Sequence, residues 1–97
     1  MNGISFTGQS LLRATTTALN VSALNTANLD TENYQARRVQ FYQQRGGVEA
    51  VITPTLTAPD LATERVNQQA LTRLSTAGVK LLRTQDEMLG ELFDQWA

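Results

Sequence analysis

Four carboxylates crowd the end of the chain. Asp86, Glu87, Glu91 and Asp94 are residue types that hold a metal ion or pass a proton in general acid–base chemistry. At helical spacing they scatter around a polar face, and no histidine accompanies them, so they read as a solvated helix surface. Arg37-Arg38 is the one basic doublet and, with Arg45, the nearest approach to a phosphate contact. With a net charge of -1 and mixed signs throughout, the chain lacks the charge that phosphate binding demands, and these arginines read as a solvated strand edge. Gly46-Gly47 does not follow the pattern of a phosphate loop, and Phe93 with Trp96 reads as a packing anchor rather than a ligand stack. The chain contains no cysteine and no histidine. That removes thiol nucleophiles, thiolate metal sites, disulfides, and the commonest general base and transition-metal ligand. The sequence therefore points away from an enzyme and implies no cofactor, metal, nucleic acid or small-molecule substrate.

The bulk properties agree with a structural role. At 97 residues the chain makes a single domain, and 41% hydrophobic content suits a chain that folds. No apolar run approaches the length that spans a bilayer. Met1 to Phe6 lacks the basic and apolar regions of a Sec-type signal peptide, so passage out of the cytoplasm requires another route.

Three blocks organise the chain. In the first, Leu11, Ala14, Ala18, Val21, Asn25 and Asn28 recur at alternating intervals of three and four, a helical stripe; Leu12, Leu19 and Ala23 widen it. This predicts a helix over residues 8–29, capped by Ser5 or Thr7. Its threonines and asparagines need partners wherever they are buried. In the second block, strand formers on both sides of Arg45-Gly46-Gly47 predict a β-hairpin over 34–57, ended by Pro54 and Pro59. The third block predicts a long helix over 60–94, capped by Asp60 and with Glu64 adding favourable charge near its N-terminus. One of its rows runs Ala70, Leu74, Ala77, Leu81 and Met88; the other runs Leu71, Gly78, Leu82, Leu89, Leu92 and Trp96. The fold class is mainly α, two packed helices, the C-terminal one long, joined through a small β-hairpin. So long a helix exposes more apolar face than the rest of the chain covers, which implies partner chains.

Between the first two blocks stands a polar hinge, and here the residues carry a resemblance. Leu19-Asn20-Val21-Ser22-Ala23-Leu24-Asn25-Thr26-Ala27-Asn28, followed by Thr31-Glu32-Asn33-Tyr34, resembles the N-terminal signature of the bacterial flagellar rod and hook proteins, in particular the proximal rod subunits. Asn25 matches the second asparagine of that signature, Ala27-Asn28 its Ala-Asn pair, and Thr31 and Tyr34 the threonine and aromatic residue of its turn. Gly47-Val48-Glu49 resembles the strand that follows. Asp60-Leu61-Ala62, Glu64, Val66-Asn67, Arg73, Lys80 and Thr84 to Leu89 resemble the family's C-terminal helix. The similarity covers most of residues 18–92. Leu24 replaces the first asparagine of the family doublet, and Glu32-Asn33 replaces Pro-Gly. Ser75 and Gly78 stand where the family has an aromatic residue and an asparagine; Gly78 costs on the order of 1 kcal/mol relative to alanine. The middle domain of larger members is missing.

The resemblance implies a minimal rod subunit that associates with other flagellar axial proteins through coiled-coil-like terminal helices and forms homo-oligomers in isolation. It also implies export by the flagellar apparatus without signal cleavage and residence in the periplasmic rod of the basal body. The implied assembly motif is Asn25, Ala27, Asn28, Thr31, Asn33 and Tyr34, and the implied helix interface is Leu74, Ala77, Leu81, Met88 and Leu92. Asn28 and Asp30 are expected to bond the helix end and the backbone beyond it, and Asn33 to take a left-handed conformation in place of glycine. The alternative is a cytoplasmic helical adaptor or regulatory module derived from such a subunit.

Overall fold

A computed structural model describes residues 2–96, with side-chain surroundings for 7–95. The order of elements is α1 (Asn2–Ala27), β1 (Arg37–Gln44), β2 (Gly47–Pro54) and α2 (Leu61–Trp96). The two helices pack against each other, and the strands form one antiparallel hairpin with Val39 opposite Ile52 and Phe41 opposite Ala50. The molecule is elongated, 63 × 23 × 13 Å.

α1 is the spine. It packs against α2 on one side and against both strands on the other, while the hairpin and α2 keep apart. The buried residues on α1 include Ala14, Ala18, Val21 and Asn25, four members of the stripe with intervals of three and four. The hairpin is pinned to this helix at two heights. Asn25 bonds the backbone of Arg37 at the base, and the Ser10 hydroxyl oxygen accepts from the N–H of Val48 near the tip at 3.0 Å. The fifteen residues from Ser10 to Asn25 rise about 22 Å as helix, and the six steps from Arg37 to Gln43, the partner of Val48, span about 20 Å as strand. Helix and hairpin are matched in length between the two pins.

The helices run antiparallel, with Ser22 beside Glu64 and Gly8 beside Gly78 and Leu82. Gly8 and Gly78 explain how closely they approach. A Cβ on Gly8 would lie 2.9 Å from Leu82 Cδ2, and one on Gly78 would lie 3.1 Å from Leu12 Cδ2. Glycine in mid-helix is costly by propensity, but here each glycine makes room for a leucine of the opposite helix. This also corrects the expected helix start. α1 begins at Asn2 rather than residue 8, because Gly8 lies inside the contact instead of breaking the helix. Thr7 is therefore not a cap; its carbonyl accepts the Ser10 hydroxyl within the helix. The side chain of Ser5 lies outside the described ones.

α2 begins where Asp60 caps it. The Asp60 carboxylate accepts the Thr63 N–H at 3.0 Å and the Thr63 hydroxyl at 2.8 Å. These bonds, the hydroxyl's first, hold the Asp60 carboxyl below the usual aspartate value. The seam of α2 toward α1 differs from the first row expected. Glu64, Leu71, Gly78 and Gln85 recur every seven residues, and Gln68, Ser75, Leu82 and Leu89 recur beside them; all eight are buried or half-buried. That 3.5-residue period is the seam of a left-handed helix pair. Of the expected interface row, Leu74 and Leu81 are half-buried while Ala77, Met88 and Leu92 are exposed, because this row flanks the seam.

At its base the hairpin is extended by a bulge. Ala36 donates its N–H to the Thr57 carbonyl and accepts the Thr55 N–H, so two residues two apart face one. Leu56, between them, is looped out with φ 64° and is 75% exposed. The tip reverses at Arg45-Gly46, where Gly46 has φ 83°.

Candidate functional site

The corner where α1, β1 and α2 meet is held by polar side chains. Asn25 is 1% exposed and behaves as a short length of strand. Its Oδ1 accepts the Arg37 N–H at 3.0 Å and its Nδ2 donates to the Arg37 carbonyl at 2.9 Å. Both peptide groups at the start of β1 are thereby satisfied from the end of α1. The same Nδ2 reaches Glu64 Oε1 at 3.2 Å, and the Ser22 hydroxyl donates to that oxygen at 2.8 Å. Gln68 Nε2 donates to Ser22 Oγ and to Thr26 Oγ1. Glu64 is 4% exposed, and a buried carboxylate is tolerated only with donors such as these. The contact is polar throughout and fixes the mutual register of three elements.

Below it the chain turns. Asn28 donates Nδ2 to the Leu24 carbonyl at 2.8 Å, ending α1 at Ala27, two residues before the expected boundary. The Thr31 hydroxyl donates to Asn28 Oδ1 at 2.9 Å. The expected role of Asp30 falls instead to Thr31, and Asp30 is exposed. Tyr34 N–H closes a turn on the Thr31 carbonyl, and Asn33, its third residue, has φ 63°. A type II turn requires positive φ at that position, which favours glycine or asparagine. Tyr34 is half-buried and Ala27 exposed. The motif residues thus divide between a buried clasp and an exposed turn.

The carboxylates Asp86, Glu87, Glu91 and Asp94 are all exposed on α2. Among the described residues, no group of three or more acidic side chains is placed to hold a metal ion, and no helix is long and apolar enough to cross a membrane. Phe93 is 68% exposed and is not a packing anchor within this chain; the side chain of Trp96 lies outside the described ones. Glu64, Ser22 and Gln68 were missed as a buried set because a search for apolar stripes passes over polar members. The signal for Glu64 was its seven-residue recurrence with Leu71, Gly78 and Gln85, and that for Gln68 its recurrence with Ser75, Leu82 and Leu89. Compared with known proteins, the chain matches no family model and no curated sequence.

Proposed function

We propose that the chain is a non-enzymatic structural subunit of the bacterial flagellar rod. In this reading it is exported without signal cleavage and joins other axial proteins in the periplasmic part of the basal body. The observation that carries this reading is the corner. Residues on which the resemblance rests are ones whose chemistry the corner uses, Asn25 as strand mimic and Asn28 with Thr31 as helix stop, and Asn33, a departure from the signature, takes the positive φ. Asn33 does there what glycine does in the family signature, so the departure from Pro-Gly preserves the turn.

The distribution of size supports association as the activity. Among the described residues the buried apolar ones are Ala14, Ala18, Val21 and Ala36, whereas Phe41, Tyr42, Ile52, Leu56, Met88, Leu92 and Phe93 are among the exposed ones. Apolar area on that scale favours cover by other chains. The test is deletion of the encoding gene in a swimming strain, followed by basal-body imaging and complementation. The expected result is loss of the rod and of motility, restored by the wild-type gene. An intact rod would instead favour the cytoplasmic adaptor.

A further inference from the structure

The hairpin has two edges, and its bonding pattern shows what each presents. The turn at Arg45-Gly46 closes on the pair Gln44–Gly47, so ladder bonds join Gln44 with Gly47, Tyr42 with Glu49, Gln40 with Val51 and Arg38 with Thr53. The residues between them turn their peptide groups outward. Two of these verify the alternation: Arg37 bonds Asn25, and Val48 donates to Ser10. The outward groups of β1 look across a groove toward α2. A second folded copy paired at that edge would bring its own α1 into the place that α2 holds. β2 does not touch α2, and its edge is open. Among the described residues, nothing bonds the outward groups of Ala50 and Ile52.

An open edge is a template for another strand, and proteins guard such edges with lysine, other charges, proline or bulges. The stretch Ala50-Val51-Ile52 carries none of these. We propose that it is covered by a second copy of this chain, β2 against β2, antiparallel about a two-fold axis at Val51. Ala50 of each copy then faces Ile52 of the other, and each such pair exchanges two N–H···O=C bonds, about four in all. The groups unable to join fall opposite one another. Val48, whose N–H Ser10 already holds, meets Pro54, which has no N–H. Glu49 is the one charge on the strand and meets Thr53, so no like charges oppose. An axis at Ala50 would instead require the Val48 N–H, which Ser10 occupies. The edge is thus self-complementary in one register.

Apolar surface stands on the same flank. Ile52 is exposed on the strand, and Leu24 is exposed on α1. At about 100° per residue, Leu24 and Ser22 fall on opposite sides of Asn25. Ser22 bonds Glu64 of α2, so Leu24 points away from α2, to the side where β2 lies. The chain exposes 7094 Å², roughly 1,600 Å² more than a compact monomer of its 10.7 kDa. A standard interface removes about 800 Å² from each partner, so such a dimer draws on surface already in excess and leaves more for other partners. The contact goes beyond the rod reading: a two-fold pair closes on itself, and growth of a filament uses other surfaces.

Sedimentation equilibrium and cross-linking of the full chain test it. The wild type should dimerise. Ala50→Pro removes an outward N–H, which an edge strand tolerates, and by symmetry deletes two of the bonds; it should weaken the dimer by at least about tenfold with an unchanged circular dichroism spectrum. Opposed residues at the axis have Cα atoms about 4.5 Å apart, within disulfide reach. The chain has no cysteine, so V51C supplies the sole thiol, and under mild oxidation it should cross-link to itself. E49C and T53C should each stay uncrosslinked alone and form a heterodimer when mixed.

A wild-type chain that stays monomeric at every accessible concentration overturns the inference. So does a folded A50P that associates as the wild type does, or V51C that yields no disulfide dimer. Should A50P fail to fold, the cross-links decide: E49C joining itself, or failing to join T53C, places the contact elsewhere. Rod loss on deletion without these solution signatures would leave the rod reading standing and remove this contact. The signatures in a protein whose deletion spares the rod would do the reverse.

Discussion

Asn25→Asp isolates the corner with a change of one atom. The side chain keeps its shape, and its Oδ1 still accepts the Arg37 N–H. What it loses is the Nδ2 donor, which serves the Arg37 carbonyl at 2.9 Å and Glu64 Oε1 at 3.2 Å. Oxygen then faces oxygen at both contacts. Leaving buried acceptors without their donor costs about 1–3 kcal/mol. Two carboxylates held some 3–4 Å apart repel by roughly 4 kcal/mol at the effective dielectric constant typical of protein sites. Because the pair relaxes and takes up water, the sum is an upper bound, and a loss of about 4 kcal/mol is the expected outcome. Against the 5–15 kcal/mol that holds a small domain together, that is a large fraction. In a domain of this size it lowers the melting temperature by about 15–30 °C.

The assay is thermal and urea unfolding at neutral pH, followed by circular dichroism. Asn25→Ala serves as the variant that loses the bonds without adding charge, and should fall by about 2–3 kcal/mol. The decisive variant is N25D/E64Q, which exchanges the amide and the carboxylate across the contact. The amide that E64Q introduces can donate to the new carboxylate, so the double variant should recover at least half of what N25D loses. A double variant no more stable than N25D, or an N25D loss below about 0.5 kcal/mol, refutes the clasp, since surface changes of no structural consequence fall in that range.

Three further outcomes follow from the backbone and the helix ends. Asn33→Gly should be neutral or slightly stabilising and Asn33→Val destabilising by about 1–2 kcal/mol, since Asn33 sits at φ 63° and a β-branched residue resists that region; equal unfolding midpoints for the two would refute the assignment. Gly90→Ala, with nothing within 4 Å, should gain up to about 1 kcal/mol of helix propensity, and Gly8→Ala should gain less than that, because its Cβ meets Leu82 at 2.9 Å and the leucine must shift; equal gains in the two unfolding curves would refute the close approach at Gly8. Asp60 should titrate by NMR below the ordinary aspartate value of 3.8, so its capping contribution is fully present above that pH and is lost as pH falls through its lower folded value; in Asp60→Ala that part of the acid dependence should vanish.

The architecture was legible wherever a local signal and the tertiary arrangement agreed. The α1 stripe through Ala14, Ala18, Val21 and Asn25 repeats every three or four residues, and those residues are buried. Arg45-Gly46-Gly47 between strand formers marked the reversal, and Asp60 after Pro59 marked the start of α2, because turns and caps are set by nearby atoms. Legibility failed where the helices themselves decide. Gly8 reads as a helix boundary by propensity, yet α1 runs through it to Asn2, since only contact with α2 makes a missing side chain an advantage. Glu64 was visible as favourable charge in a first turn, but nothing near it in the chain shows that its carboxylate points inward to Ser22 and Asn25, 42 and 39 residues away. Asn25 was legible as a motif residue; its partner, the peptide of Arg37, was not, because that pairing exists only once the corner is closed.

The seam between the helices combines leucines with small and polar residues, whereas the exposed surface carries many of the large apolar side chains. Between α1 and α2 stand Gly8, Thr15, Ser22, Gly78 and the polar ends of Glu64, Gln68 and Gln85, while many of the large apolar side chains point outward. Small residues bury little area each, so at ~25 cal/mol per Å² the hydrophobic gain of the seam falls to leucines such as Leu12 and Leu82, and the rest of it depends on close approach and satisfied hydrogen bonds. Such bonds are directional. They define one register for three elements and leave large apolar side chains such as Phe41, Ile52 and Phe93 on the outside. Leu56 shows the same division on a single residue: a leucine held at φ 64° and 75% exposed sits in a conformation that costs about 1–2 kcal/mol, at a position where it gains almost nothing from its own chain. A protein that worked alone would gain stability from glycine or asparagine there. Under the proposed assembly, leucine is retained there for the apolar area that it offers to a neighbouring subunit.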